Sequence, residues 1–254
     1  GNHDYGGWKF VSAWDQAIGY TWAPGGSGRW MTPAQYWRVK VSYPDVSVDY
    51  YFVDSNKFDA LDPSDGSGHN ICSSAHNTDR PTCGPQGPAS TYDCPGWFGK
   101  LWAEQMDWLE KVLPQSTADW QVVVTHFPPA WGSADWVHLS QRHGIDLFVT
   151  GHKHTQEVHA PGLPRRSFWP NLWDDFLGET AWLVSGGGGG VTSEGYPDAA
   201  GNDDQYGFME LAISKAEIAI TAITHGGQVR TSVSVKPRPA SYAPKLAPAA
   251  AAGA

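Results

Sequence analysis

Short apolar runs set between turn residues organise this chain. Residues 36–43 alternate polar and apolar side chains, which predicts a half-buried strand. Pro44-Asp45 then turns the chain into a second strand over 48–53. Trp102, Met106, Leu109 and Leu113 recur at helical spacing and predict an amphipathic helix over 99–113, stopped by Pro114. Strands are predicted over 121–125, 145–149 and 181–185, with a short helix over 134–143 that Gly144 ends. Another short helix is expected over 8–18. This β-α-β alternation predicts an α/β architecture of layered sheets and helices. Residues 206–213, 217–224 and 228–235 read as a three-strand antiparallel meander, with Gly226-Gly227 at its second turn.

Residues 55–98 carry no such pattern and hold Cys72, Cys83 and Cys94 in a Gly/Pro/Ser/Asp-rich stretch. A connection that long is either functional or stapled. A disulfide in an oxidising compartment is one reading, with the odd cysteine pairing elsewhere; three free thiols is the other. No Cys-x-x-Cys pair occurs, which argues against a zinc site built from cysteines alone. Gly186 to Gly190 read as a tight turn under close backbone approach, with phosphate cradling as the rival; no Gly-Lys-Ser/Thr follows, so this is not a P-loop. From Pro237 the chain turns to Pro, Ala and Gly. The expected organisation is therefore one domain over 1–236, with 55–98 as an insertion and 237–254 as a tail.

At 254 residues, with 41% apolar and 17% charged, the chain is globular and long enough for a sizeable core. The net charge of −9 argues against a nucleic-acid groove, which concentrates Lys and Arg. No run of eighteen apolar residues occurs, so no membrane-spanning helix is expected. Of the 14 tryptophans, Trp97, Trp102, Trp108, Trp120, Trp131 and Trp136 flank the histidine motifs described next; packing is the expected role, a substrate platform the rival.

The candidate chemistry sits at strand ends. The predicted strand 145–149 runs into Thr150-Gly151 and then His152 and His154, two residues apart. Val122-Val123-Val124-Thr125-His126 repeats the design, and Gly1-Asn2-His3-Asp4 adds further nitrogen and oxygen donors. Loops at strand ends are the usual seat of chemistry on a rigid scaffold. Imidazole suits zinc and iron, and an amide oxygen is a harder donor. Histidines at i and i+2 on such a loop can reach two neighbouring cations, which together activate water and neutralise phosphoryl oxygens.

Gly1-Asn2-His3-Asp4, Val123-x-x-His126 and Gly151-His152-x-His154 stand in an order and spacing that resembles the calcineurin-like metallophosphoesterases, closest to the purple acid and tartrate-resistant acid phosphatase branch. The resemblance runs from residue 1 to about residue 235. It implies a sandwich of two mixed sheets flanked by helices, of which this chain is the C-terminal part. It implies a dinuclear centre of iron, zinc or manganese, in which Asn2, His126 and His152 hold one ion and His154 the other. His3 would face the substrate and protonate the leaving oxygen, with Asp4 orienting it. The family's Asp-x-His and Gly-Asp-x-x-Asp/Tyr motifs, which precede Gly-Asn-His-Asp, do not occur, so an upstream segment or second chain is expected to complete the ligand set. The branch carries another substrate-facing histidine soon after Val-x-x-His; here the residue nine beyond His126 is Asp135, with His138 further on.

The expected function is hydrolysis of small phosphate monoesters in a secreted or vacuolar setting. The alternatives are a non-catalytic binding or structural subunit of a larger assembly, and a phosphodiesterase or nucleotidase. His69, His76, His143, His159 and His225 read as surface or structural residues. Lys153 reads as solvated, with a phosphate clamp as the rival.

Overall fold

The structure is a computed structural model that describes residues 1–5, 13–24, 28–77, 87–161, 163, 176–188 and 206–239. Its larger sheet has six strands: β1 (Trp37–Ser42), β2 (Ser47–Phe52), β3 (Trp120–Val124), β4 (Leu147–Thr150), β5 (Gln156–His159) and β6 (Ala181–Ser185). Their order across the sheet is β1-β2-β3-β4-β6-β5. The four central strands run parallel; β1 and β5 close the edges antiparallel. The smaller sheet is the expected meander, β7 (Gly207–Ile213), β8 (Ile218–Thr224) and β9 (Val229–Val235). The α/β two-sheet sandwich is as expected. The smaller sheet, though, is antiparallel over its described strands rather than mixed, because short turns join those strands directly.

The two-residue period of the central strands builds both layers of the core. Val48, Trp120, Val122, Leu147, Ala181 and Leu183 point one way and pack on Ile218, Ile220, Val233 and Val235 of the smaller sheet. Tyr51, Val123, Phe148, Trp182 and Val184 point the other way, under α2 (Cys94–Val112) and α3 (Ser133–His143). A further helix, α1 (Ala13–Trp22), lies near the N-terminus. Helix α3 is bracketed by Gly132 and Gly144, at φ 78° and 69°, the left-handed conformation that favours glycine at a helix end.

Helix α2 begins five residues before the expected start, with Pro95 in its first turn. The extra turn adds Cys94 and Phe98 to a satellite cluster with Leu101, Tyr5, Ile71 and Cys72. Cys72 and Cys94 form a disulfide, Cα atoms 5.6 Å apart, so the stapled reading of the 55–98 segment holds. Cys83 and Gly189-Gly190 lie outside the described residues. Residues 237–239, at the start of the expected tail, are described. Arg238 among them is bound to the end of the larger sheet through the buried Asp146 carboxylate and the Ala118 and Asp119 carbonyls. No described helix is long and apolar enough to cross a membrane.

Candidate metal centre

Strands β3 and β4 are parallel neighbours with Val124 opposite Val149, so the loops after them leave the sheet side by side. The pairing continues past the strands: Thr125 N–H donates to Val149 O at 3.0 Å and Gly151 N–H to His126 O at 2.9 Å. This brings His152 Nδ1 to 3.3 Å from His126 Nε2. The end of β2 supports the same corner. Ser55 Oγ accepts from Phe127 N–H at 2.9 Å and from the Thr125 hydroxyl at 2.8 Å. His152 has φ 64°, the only non-glycine among the described residues in the left-handed region. Such strain persists where the surroundings over-determine the conformation, and it clusters at functional sites.

The N-terminal turn, residues 2–5, closes over His126: a Cβ on Gly1 would stand 2.9 Å from His126 Nδ1. Asn2 is buried, and its amide nitrogen donates to Asp59 Oδ2 at 2.9 Å, which leaves the amide oxygen as the atom to offer a cation. Burial raises the Asp59 carboxyl; the Asn2 hydrogen bond and the charges of His69 and His3 oppose it. His3, Asp4 and His154 are exposed, while His126 and His152 are half-buried. Asp4 takes the Gly1 amino group rather than His3.

Aromatic rings back the imidazoles. Phe127 lies 4.1 Å from His152 between ring centroids and Trp131 5.7 Å, so Trp131 reaches the site, while Trp102, Trp120 and Trp136 are core. Burial, with the positive charges of the amino terminus and His152, pushes the His126 imidazole down to about 3. Burial, with His69 and His154 nearby, pushes His152 down to about 4. Both rings are therefore neutral at neutral pH, the form whose lone pair binds a cation.

The pair fits a cation in separation as well. Two nitrogens about 2.05 Å from a tetrahedral zinc stand roughly 3.3 Å apart, the separation seen between His126 and His152. Among the described residues, however, no three His, Cys, Asp or Glu side chains converge to hold a metal ion. His126 and His152 thus fit part of a coordination shell.

Several sequence readings resolve here. Lys153 Nζ lies 3.4 Å from Glu157, so the partly exposed residue between the two histidines is paired with a carboxylate. Asp135 accepts from the Trp102 indole at 2.8 Å, and His138 on α3 pairs with Glu110 at 2.6 Å; both are engaged elsewhere. His69, read as surface or structural, is exposed, and its ring also faces that of His152, with centroids 6.0 Å apart. Sequence reasoning also missed Asp59. Neither belongs to a strand-end motif. The one signal was their place in the segment flagged as too long for an ordinary connection.

No curated protein resembles the sequence closely enough to count as a relative. Among solved structures, the chain is similar to GAP50, the anchor in the inner membrane complex of Plasmodium (13% identity, TM-score 0.46, 83% of this chain and 57% of that one). It is also similar to the purple acid phosphatase PPD1 from yellow lupin (Lupinus luteus) seeds (17% identity, TM-score 0.45, 84% of this chain and 36% of that one). A hypothetical protein from Thermus thermophilus follows (15% identity, TM-score 0.31, 87% of this chain and 66% of that one). The chain thus spans little more than half of the first of these proteins and about a third of the second. A profile of the calcineurin-like phosphoesterases matches residues 1–156, more than half of the chain and the stretch that carries all three histidine motifs; the protein belongs to that family.

Proposed function

We propose that this protein hydrolyses phosphate monoesters at a dinuclear metal centre, as an acid-phosphatase-like enzyme, with an upstream segment or second chain completing the ligand set. The observation that carries the reading is the His126–His152 nitrogen pair, 3.3 Å apart, at the ends of two parallel neighbouring strands. In this reading Asn2, His126 and His152 hold one ion and His154 the second. The bound ions, iron, zinc or manganese, supply the activated water and neutralise the phosphoryl oxygens.

The chain's own groups do the rest. Phe127 and Trp131 keep water from one side of His152. Hydrolysis joins the water oxygen to phosphorus and breaks the P–O ester bond; the ester oxygen leaves with a proton from an imidazole nitrogen of the exposed His3, and the proton that the water loses on attack passes to solvent, from which His3 is recharged. Asp4, expected from the resemblance to orient His3, pairs with the Gly1 amino group instead. The working unit is one domain that extends at least to Arg238, which is clamped to the end of the larger sheet. The Cys72–Cys94 disulfide supports an oxidising compartment, hence a secreted or vacuolar enzyme.

Metal analysis of the purified protein, with p-nitrophenyl phosphate and bis-p-nitrophenyl phosphate as substrates, tests the proposal. Two ions per molecule and turnover of the monoester are expected, and His126→Ala should lose metal and at least ~10²-fold in rate. Turnover of the diester alone would favour the phosphodiesterase or nucleotidase reading. Metal-free protein that stays inert after reconstitution sinks the proposal in favour of a non-catalytic binding subunit. The lack of a third converging His, Cys, Asp or Glu among the described residues is the observation on that side.

A further inference from the structure

We infer that His69 contacts the substrate: its imidazole N–H donates a hydrogen bond to a phosphoryl oxygen of the bound monoester. The inference rests on the phosphomonoester reading above and adds to it a residue from outside the strand-end motifs.

The loop that carries His69 is held from both sides. Asn70, next in sequence, is fully buried. Its side-chain oxygen accepts from Leu61 N–H at 3.1 Å and Cys72 N–H at 2.9 Å. Its amide nitrogen donates to Asp62 O at 2.7 Å and Asp65 O at 2.9 Å. Ile71 N–H then donates to Asp59 O at 2.9 Å, and Cys72 is tied to Cys94 at the start of α2. Residue 69 is therefore placed by its buried neighbours, and its own side chain is left exposed.

What that side chain meets is the metal corner. Its ring stands edge-to-face with His152, and its charge acts on both Asp59 and His152. Four side-chain hydrogen bonds of one asparagine, and a disulfide, thus hold the loop that presents this imidazole to the site. Lys153 pairs with Glu157, and the His69 imidazole, beside His152, brings an N–H donor to this side. An imidazole carries at least one N–H whether neutral or protonated, so the contact does not depend on titration.

The test compares His69→Ala and His69→Asn with the wild-type protein, with His126→Ala alongside. The readouts are kcat and KM for p-nitrophenyl phosphate, the inhibition constant of inorganic phosphate, and thermal unfolding. Loss of one hydrogen bond to a bound oxygen should raise KM and the phosphate inhibition constant about tenfold in His69→Ala. His69→Asn, which keeps an N–H donor, should recover part of that. Both constants within twofold of wild type in His69→Ala, with His126→Ala inactive, would overturn the His69 contact and leave the phosphatase reading standing. A wild-type protein that neither turns over the ester nor binds phosphate would overturn both. Should the alanine variant unfold early, His69→Leu takes its place, and wild-type constants in it would count against the contact.

Discussion

Replacing Gly186 by alanine asks whether the loop between His152 and His154 is set by contact with the end of β6. Gly186 N–H donates to Thr155 O at 2.9 Å. A Cβ on Gly186 would stand 1.7 Å from Lys153 O, 2.8 Å from Lys153 C and 2.9 Å from Thr155 N. Ordinary contact begins at 3.4 Å, so Lys153 O would have to retreat by the difference, 1.7 Å. All three atoms are backbone, so no change of rotamer relieves the clash. The retreat draws His152 away from His126 and breaks the 3.3 Å nitrogen pair. Overpacking of this kind costs about 1–3 kcal/mol. A misplacement of ~1 Å at a reacting centre costs roughly 10²-fold in rate. Gly188 is the control, since a Cβ there meets nothing within 4 Å. Thermal unfolding, metal content and p-nitrophenyl phosphate turnover are the assays. Gly186→Ala should melt lower, by about 2–4 °C per kcal/mol lost, and lose metal and turnover, while Gly188→Ala behaves as wild type. Wild-type melting, metal content and rate in Gly186→Ala would refute the claim that this contact sets the ligand loop.

Three further outcomes follow from the packing. Arg238→Met leaves the buried Asp146 carboxylate without its guanidinium and should cost about 3–5 kcal/mol in urea unfolding; a loss under ~1 kcal/mol would show that the clamp is dispensable. Cys72→Ser removes a link across 22 residues and should cost about 3 kcal/mol, read from denaturant midpoints with and without reductant; equal midpoints under oxidising conditions would count against it. Burial alone would raise the Glu157 carboxyl, but hydrogen bonds from His159 and Thr155 and the Lys153 charge bring it down to about 2. A carboxyl lowered from 4.5 stabilises the fold above that pH, and the contribution is lost as pH falls towards 2. Glu157→Gln should therefore flatten acid unfolding in that window, and an unchanged acid limb would contradict the assignment.

The strands that build the core were legible because burial on both faces demands apolar residues in unbroken runs. Val122, Val123 and Val124, or Ala181 to Val184, fit little else. The same runs placed His126 and His152, since each follows its strand within two residues. Strand β5 escaped notice because Gln156, Glu157, Val158 and His159 show neither an apolar run nor clean alternation. It is a strand through its pairing with β6 and through Gln156, which donates to Phe208 O and Ile223 O at 3.1 Å. The early start of α2 was hidden likewise, because Cys94 and Phe98 find their partners, Tyr5 and Ile71, far away in sequence.

By itself the sequence determined the α/β layering, the meander, and the family motifs with their candidate donors, since these depend on residue type and short-range period. Only the tertiary structure decided which donors meet. Parallel pairing of β3 with β4 put His126 against His152. The N-terminal turn carried Asn2 onto Asp59. A disulfide-tied loop with no periodic pattern brought His69 to the same corner, while Asp135 and His138 went to other partners. The physical reason is range: periodicity records which face of an element is buried, whereas the meeting of two loops depends on register and loop closure across many residues, for which no local pattern exists.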